Sequence, residues 1–140
     1  MISLETTFAP VLATGLTSYA WLIIAIPAIS AAILLLGGRL LDQVGHWLAV
    51  AAVTASFVIA ASVFGLQLAS DESARAISVP LYTWLSTGTW EVSAGLLIDQ
   101  LSIVFALLIT GVGALIHLYS VGYMAHDERR RRFFAYLNLF

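Results

Sequence analysis

One stretch constrains this chain more than any other. Residues 100–125 (QLSIVFALLITGVGALIHLYSVGYMA) contain no Asp, Glu, Lys or Arg and one histidine, His117. Asp99 precedes the stretch, and residues 127–132 (DERRRR) follow it. At 1.5 Å per residue, a helix of this length reaches roughly 39 Å, enough for a hydrocarbon layer of about 30 Å with its ends among headgroups. A charge-free segment of that length and hydrophobicity reads as a transmembrane helix.

One face of this helix differs from the others. Ser102, Ala106, Thr110, Gly113, His117 and Ser120 recur at intervals of three or four and share a single stripe. Small residues allow helix backbones to approach closely in lipid, and hydroxyls can bond across the contact. The stripe is therefore expected to face protein, with the Leu, Ile, Val and Phe faces toward lipid or apolar neighbours. His117 has two readings. It is a neutral, hydrogen-bonded packing group, or it is a relay group in an intramembrane proton path, with Thr110 and Ser120 as lining groups. Only residues 118–126 separate His117 from the charged run, which favours the packing reading. Asp99 likewise reads as the mouth of a proton path or as a cap that satisfies free donors at the helix start, and the cap is favoured.

Composition sets the class. The chain is 61% hydrophobic and 10% charged, against about 25% charged in soluble domains. It is an all-α integral membrane protein by this reading. With no cysteine there is neither a disulfide framework nor a thiolate metal site. The three histidines are far apart and no carboxylate shares a helix face with one at ligand spacing, so no metal site is expected. No phosphate-cradling glycine loop is present. Four of the six basic residues form one short arginine run, so a nucleic-acid surface is not expected.

Taken in order, residues 1–18 carry only Glu5 as a charge. No basic residue precedes the first apolar run, so a cleaved signal peptide is not expected. A first span is predicted over 19–38, with Tyr19 and Trp21 at the interface and Pro27 kinking it midway. A short connection holds Arg39, Asp42 and His46. A second span covers 44–69, with Ala49, Ala52, Ser56 and Ala60 forming another small-residue face. Residues 76–98 are long enough to cross, but Pro80, the Ser86–Gly88 cluster and Glu91 argue against a helix. Thr89 to Ser93 roughly alternate, so a short β-hairpin on the outer membrane surface is expected, turning near Ser86 to Gly88. The third span follows, and a fourth begins at about 133. The abrupt end at Phe140, inside an apolar run, suggests the N-terminal part of something longer.

Three spans place the 39–46 connection and the 126–132 run on one side. That side holds five of the six arginines and is expected to be cytoplasmic, leaving the N-terminus and the 71–98 loop outside. Residues 127–132 read best as a positive-inside flank of the third span rather than as a lipid-headgroup or partner contact.

Residues 99–140 carry a family resemblance. Asp99 with Leu101-Ser102, then Thr110-Gly111-Val112-Gly113, Leu115-Ile116-His117, Tyr119-Ser120, Gly122-Tyr123-Met124, Arg132-Phe133-Phe134-Ala135-Tyr136 and Asn138-Leu139-Phe140 resemble the L subunit of bacterial respiratory complex I. Residues 1–98 match only in layout. The resemblance implies an antiporter-like membrane-arm subunit of a proton-translocating NADH:quinone oxidoreductase, with 1–140 as its N-terminal membrane segment. It implies neighbouring membrane-arm subunits, especially another antiporter-like one, and the lipid bilayer as partners. The assembly it implies uses NADH, flavin, iron–sulfur clusters and quinone, with no redox cofactor and no catalytic centre in this segment. The family's pumping glutamate and lysines lie beyond Phe140, so none transfers to this sequence. The same layout also fits the A-type subunit of a sodium/proton antiporter, and a non-transporting structural segment is the third reading.

Overall fold

The computed structural model describes residues 10–140. The stretch that bears on signal cleavage, with Glu5, lies outside the described residues. The order is β1 (Val11–Leu12), α1 (Leu22–Leu36), α2 (Gly45–Ala69), β2 (Ile77–Thr87), β3 (Trp90–Ile98), α3 (Gln100–Tyr123) and α4 (Arg130–Leu139).

Among the described residues, three helical stretches are long and apolar enough to cross a membrane: Gly15–Leu36, Gly45–Ala69 and Gln100–Tyr123. The first differs from expectation in its make-up. Its α-helical part has only 15 residues, roughly 22 Å, which is shorter than a hydrocarbon core. A 3₁₀ turn at Gly15–Tyr19 leads into it. Thr14 and Thr17 hold that turn: Thr14 N–H donates to Thr17 Oγ1 at 3.1 Å, and Thr17 Oγ1 donates to Thr14 O at 2.9 Å. Pro27 lies inside α1. His46, assigned by sequence to the connection, belongs to the first turn of α2 and is buried.

The 76–98 segment is a hairpin. Thr87 pairs with Trp90 across the two-residue turn Gly88-Thr89. Gly88 has φ +61° and Thr89 does not have positive φ, the pattern of a type II′ turn with glycine first. The ladder is irregular between Pro80 and Tyr82, where proline withholds a donor, and again between Thr83 and Leu85. β2 tolerates Pro80 because β1 covers it only at Ile77 and Ser78. Strand β1 was not expected. It pairs in parallel with β2, with Val11 N–H on Ala76 O at 2.8 Å and Ala13 N–H on Ser78 O at 2.9 Å. Glu91, which had no evident partner in the sequence, accepts from Thr83 Oγ1 at 3.2 Å on the exposed strand face.

Two packed cores lie along α2. At its C-terminal end Ala60 and Val63 meet Ile77, Val79, Ile98, Ile103 and Ala20, joining sheet to helices. Gln67 Nε2 reinforces this junction by donating to Arg75 O at 2.9 Å and Ile98 O at 3.2 Å. At the N-terminal end Ala49 meets Leu34, Phe134 and Ala135. Between the cores runs the seam of α2 and α3. Ala49, Ala52, Ser56 and Ala60 are all buried, Ala49 and Ala60 within the two cores, as the small-residue spacing predicts.

The fourth helix starts earlier than expected, at Arg130 rather than near 133. Arginine is a good helix former, so the basic run enters the helix instead of ending before it. Asp127 Oδ1 accepts from Arg129 N–H at 2.6 Å and shapes the approach.

Candidate functional site

The polar stripe of α3 faces protein. Thr110, His117 and Ser120 are buried, while Leu108, Ile109, Leu115, Ile116 and Leu118 on the other faces are exposed. A Cβ on Gly113 would lie 3.5 Å from Val53 Cγ2 of α2. A Cβ on Gly111 would lie 3.0 Å from Phe57 Cε2. The glycines thus let α3 approach α2, and the stripe lies along that contact.

Each expected site residue has a local reason for its position. Thr110 Oγ1 donates to Ala106 O at 2.6 Å, so its hydroxyl hydrogen is held by its own helix. His117 Nδ1 lies 2.7 Å from Gly113 O. A carbonyl only accepts, so Nδ1 carries the hydrogen and neutral His117 keeps Nε2 as a bare acceptor. That Nε2 is buried and has no partner among the described residues. Ser120 follows one turn later on the same face.

Asp99 is the N-cap of α3 and stands apart. Ser102 N–H donates to Asp99 Oδ1 at 2.8 Å, and Asp99 N–H donates to Ser102 Oγ at 2.8 Å, a reciprocal capping box. The Ser102 backbone bond, followed by the Ser102 hydroxyl, holds the Asp99 carboxyl below the usual carboxylate range. Along the helix, 18 residues separate Asp99 from His117, roughly 27 Å. The structure therefore brings Thr110, His117 and Ser120 into one seam and leaves Asp99 at the far end of the helix.

Four neighbours of this seam escaped sequence reasoning. Phe134 of α4 is fully buried, with its ring centroid 6.2 Å from that of His46 and 6.2 Å from that of His117. His46 Nδ1 is also buried without a partner among the described residues. Asn138 Nδ2 donates to Ser30 Oγ, a buried side-chain bond between α4 and α1. His46 and Asn138 were legible in principle. His46 is in phase with Ala49 and Ala52 on the small face of α2, and Asn138 lies one turn beyond Phe134.

The fourth neighbour is Arg131, which has a packing role that the flank reading of the basic run does not contain. Its side chain turns inward, 14% exposed. Nε bonds Asp42 Oδ1 at 2.7 Å, and Nη1 donates to Leu34 O in the last turn of α1. Nothing in the spacing of four consecutive arginines singles out Arg131. Among the described residues, no three of His, Cys, Asp and Glu come together to hold a metal ion.

Comparison with known proteins shows what the sequence of this chain is similar to. Residues 84–134 match the family described as NADH-ubiquinone oxidoreductase (complex I), chain 5 N-terminus. The chain is 54% identical over 124 residues to NADH-quinone oxidoreductase subunit L of Mycobacterium tuberculosis, covering 89% of this chain and 20% of that protein. It is 33% identical over 133 residues to the chloroplastic NAD(P)H-quinone oxidoreductase subunit 5 of Zygnema circumcarinatum, covering 90% of this chain and 18% of the relative. With subunit L of Escherichia coli it shares 48% identity over 63 residues, 45% of this chain and 10% of the relative. The chain thus spans about a fifth of the length of the curated relatives it matches most extensively.

Proposed function

On the premise that this chain is an L-subunit-type N-terminal segment of complex I, we propose that it works within the membrane arm of a proton-translocating NADH:quinone oxidoreductase. The observation that carries this reading is the 54% identity to subunit L across 89% of the chain. The curated names of the relatives do not favour a sodium/proton antiporter subunit.

Electron transfer from NADH to quinone belongs to other subunits of such an assembly. This segment contributes a wall. Its α2–α3 seam sets Thr110, His117 and Ser120 in a buried line, where an ionisable group carries function more often than elsewhere in a membrane. The apolar outer faces of α1 and α3 meet lipid and neighbouring membrane-arm subunits, the adjacent antiporter-like subunit among them. Asp99 caps α3, and its carboxylate also supplies a charge at the end of the helix away from His117.

The orientation follows from the arginines. The Arg131–Asp42 bond joins the α1–α2 connection to the start of α4, which supports one arginine-rich side. We assign that side to the cytoplasm and the hairpin to the outer face.

The test is purification of the tagged full-length protein from its native membrane. Co-purification with NADH-oxidising flavin and iron–sulfur subunits, and NADH-driven acidification of inverted vesicles, are expected. Purification as an assembly without NADH oxidation, with sodium-dependent proton exchange instead, overturns the reading.

A further inference from the structure

Phe134 stands between two buried imidazoles. Its ring is 6.2 Å from His46, tilted by 50°, and 6.2 Å from His117, tilted by 48°. The two imidazole centroids therefore lie within about 12 Å of each other. His46 is 7% exposed and His117 is 3% exposed. Each has one ring nitrogen buried and unpartnered among the described residues, Nδ1 in His46 and Nε2 in His117. They come from different helices, α2 and α3, and the ring between them comes from a third, α4.

The charged surroundings are few. By sequence, α1 carries no titratable residue, α2 carries only His46, and α3 adds only Tyr119 and Tyr123 to His117. Both tyrosines are exposed on the other side of α3. Helix α4 brings Arg130, Arg131, Arg132 and Tyr136, and the α1–α2 connection brings Arg39 and Asp42. Arg131 and Asp42 neutralise each other. Arg132 and Tyr136 are exposed, as is Arg39. Arg130 is half-buried, with its Nε unpartnered among the described residues. The four helices and the α1–α2 connection bring no acidic side chain other than Asp42, and the α3–α4 connection adds His126, Asp127, Glu128 and Arg129, all exposed.

We propose that His46, Phe134 and His117 form one proton-holding unit, in which His117 takes up and returns a proton at Nε2 and His46 competes with it for that positive charge. The proposal deepens the reading of His117 given above and rests on it for its biological use. In the step, the Nε2 lone pair of neutral His117 forms an N–H bond with a proton delivered by water. The ring becomes imidazolium, Nδ1–H stays on Gly113 O, and release breaks the same Nε2–H bond. The carbonyl on Nδ1 cannot accept a proton, so protons do not pass through the ring from one nitrogen to the other. His117 is a terminal store in this geometry and not a link in a wire. The Phe134 ring, 6.2 Å from each imidazole, lies at the edge of the distance over which an aromatic ring stabilises a cation. Two positive charges no more than about 12 Å apart, at an effective dielectric of about 20, disfavour each other at least roughly tenfold. One proton at a time is the consequence.

The test is nitrogen-15 NMR of histidine side chains in the full-length protein, within its native membrane assembly, from about pH 5 to pH 8.5. H117Q and H46Q assign the signals by loss. The expected result is an Nδ1 of His117 that stays protonated throughout, an Nε2 that titrates, and a second protonation step of the pair that moves up by about one pH unit or more once the other histidine is replaced, in H46Q or in H117Q. F134L, which keeps bulk without the aromatic face, lowers the midpoint. An Nε2 that does not titrate over this range, or a second step unmoved by both H46Q and H117Q, overturns the proposal. NADH-driven acidification by the unmodified assembly is scored separately, so loss of the functional reading is distinguished from loss of the two-histidine unit.

Discussion

Arg131 and Asp42, 89 residues apart in sequence, meet at 2.7 Å and close the end of the bundle where α1, α2 and α4 converge. The same guanidinium serves the carbonyl of Leu34, one of the acceptors that the end of α1 leaves free. The two bonds differ in weight. Asp42 is half exposed, so the ion pair itself contributes about 0–1 kcal/mol. A charged donor on a partly buried helix-end carbonyl contributes about 1.5–3 kcal/mol. R131A is therefore expected to destabilise more than D42N, by roughly 2 kcal/mol against under about 1 kcal/mol. Thermal unfolding of the solubilised full-length protein measures both. Equal losses would mean that the carbonyl bond carries little.

Gly45 and Gly111 predict opposite tolerance to an added methyl. A Cβ at Gly45 would sit 2.6 Å from Leu34 Cδ2, and Leu34 is fully buried. G45A should cost about 1–3 kcal/mol through overpacking of the α1–α2 contact. At Gly111 the closest atom is Phe57 Cε2 at 3.0 Å, on a ring that is 36% exposed and can swing away. G111A should fall within about 0.5 kcal/mol of the parent, since alanine also favours the helix. Thermal shift of the two variants side by side decides it, and a larger loss at Gly111 would sink the argument.

The spans, the hairpin and the protein-facing stripe were legible because each has a period or a break that physics fixes. Residues 100–125 announce a helix by length and lack of charge, and the small-residue intervals in α2 and α3 give the mutual face directly. Pro80 and Gly88 argue against a helix over 76–98 in the same way. What was hidden depends on partners distant in sequence. A two-residue β1 leaves no periodic signal and forms only because β2 offers it a free edge. Arg131 is one of four equivalent letters until Asp42 and Leu34 are placed beside it. The His46–Phe134–His117 arrangement draws on three helices, and no spacing within any one of them reveals it.

Asn138 and Ser30 form a buried bond between α4 and α1. Hydrogen bonds between membrane helices average about 0.6 kcal/mol in coupling and reach about 1.7 kcal/mol. A double-mutant cycle of S30A and N138A on thermal stability should return a coupling of about 0.5–1.5 kcal/mol. Strict additivity would show that α4 is held to α1 by packing and Arg131 alone.

Asp99 gives the pH dependence. Its carboxyl titrates below the ordinary carboxylate value because the Ser102 backbone N–H, and then the Ser102 hydroxyl, bond its charged form. A group whose folded-state pKa is depressed binds fewer protons folded than unfolded. The cap's contribution is therefore present in full above the usual carboxylate range, near pH 4, and drains away as pH falls through the lower folded value. D99N keeps a side-chain acceptor for Ser102 N–H, since asparagine also caps helices well, but it has no charge to lose. The midpoint of thermal unfolding of D99N, followed from about pH 6 down to about pH 3, should decline less steeply than that of the parent. S102A should weaken the cap at every pH and raise the carboxyl toward its ordinary value, which also flattens the acid decline. A parent and D99N that fall in parallel would mean that Asp99 titrates alike in folded and unfolded chains, and that the capping box contributes nothing specific to acid stability.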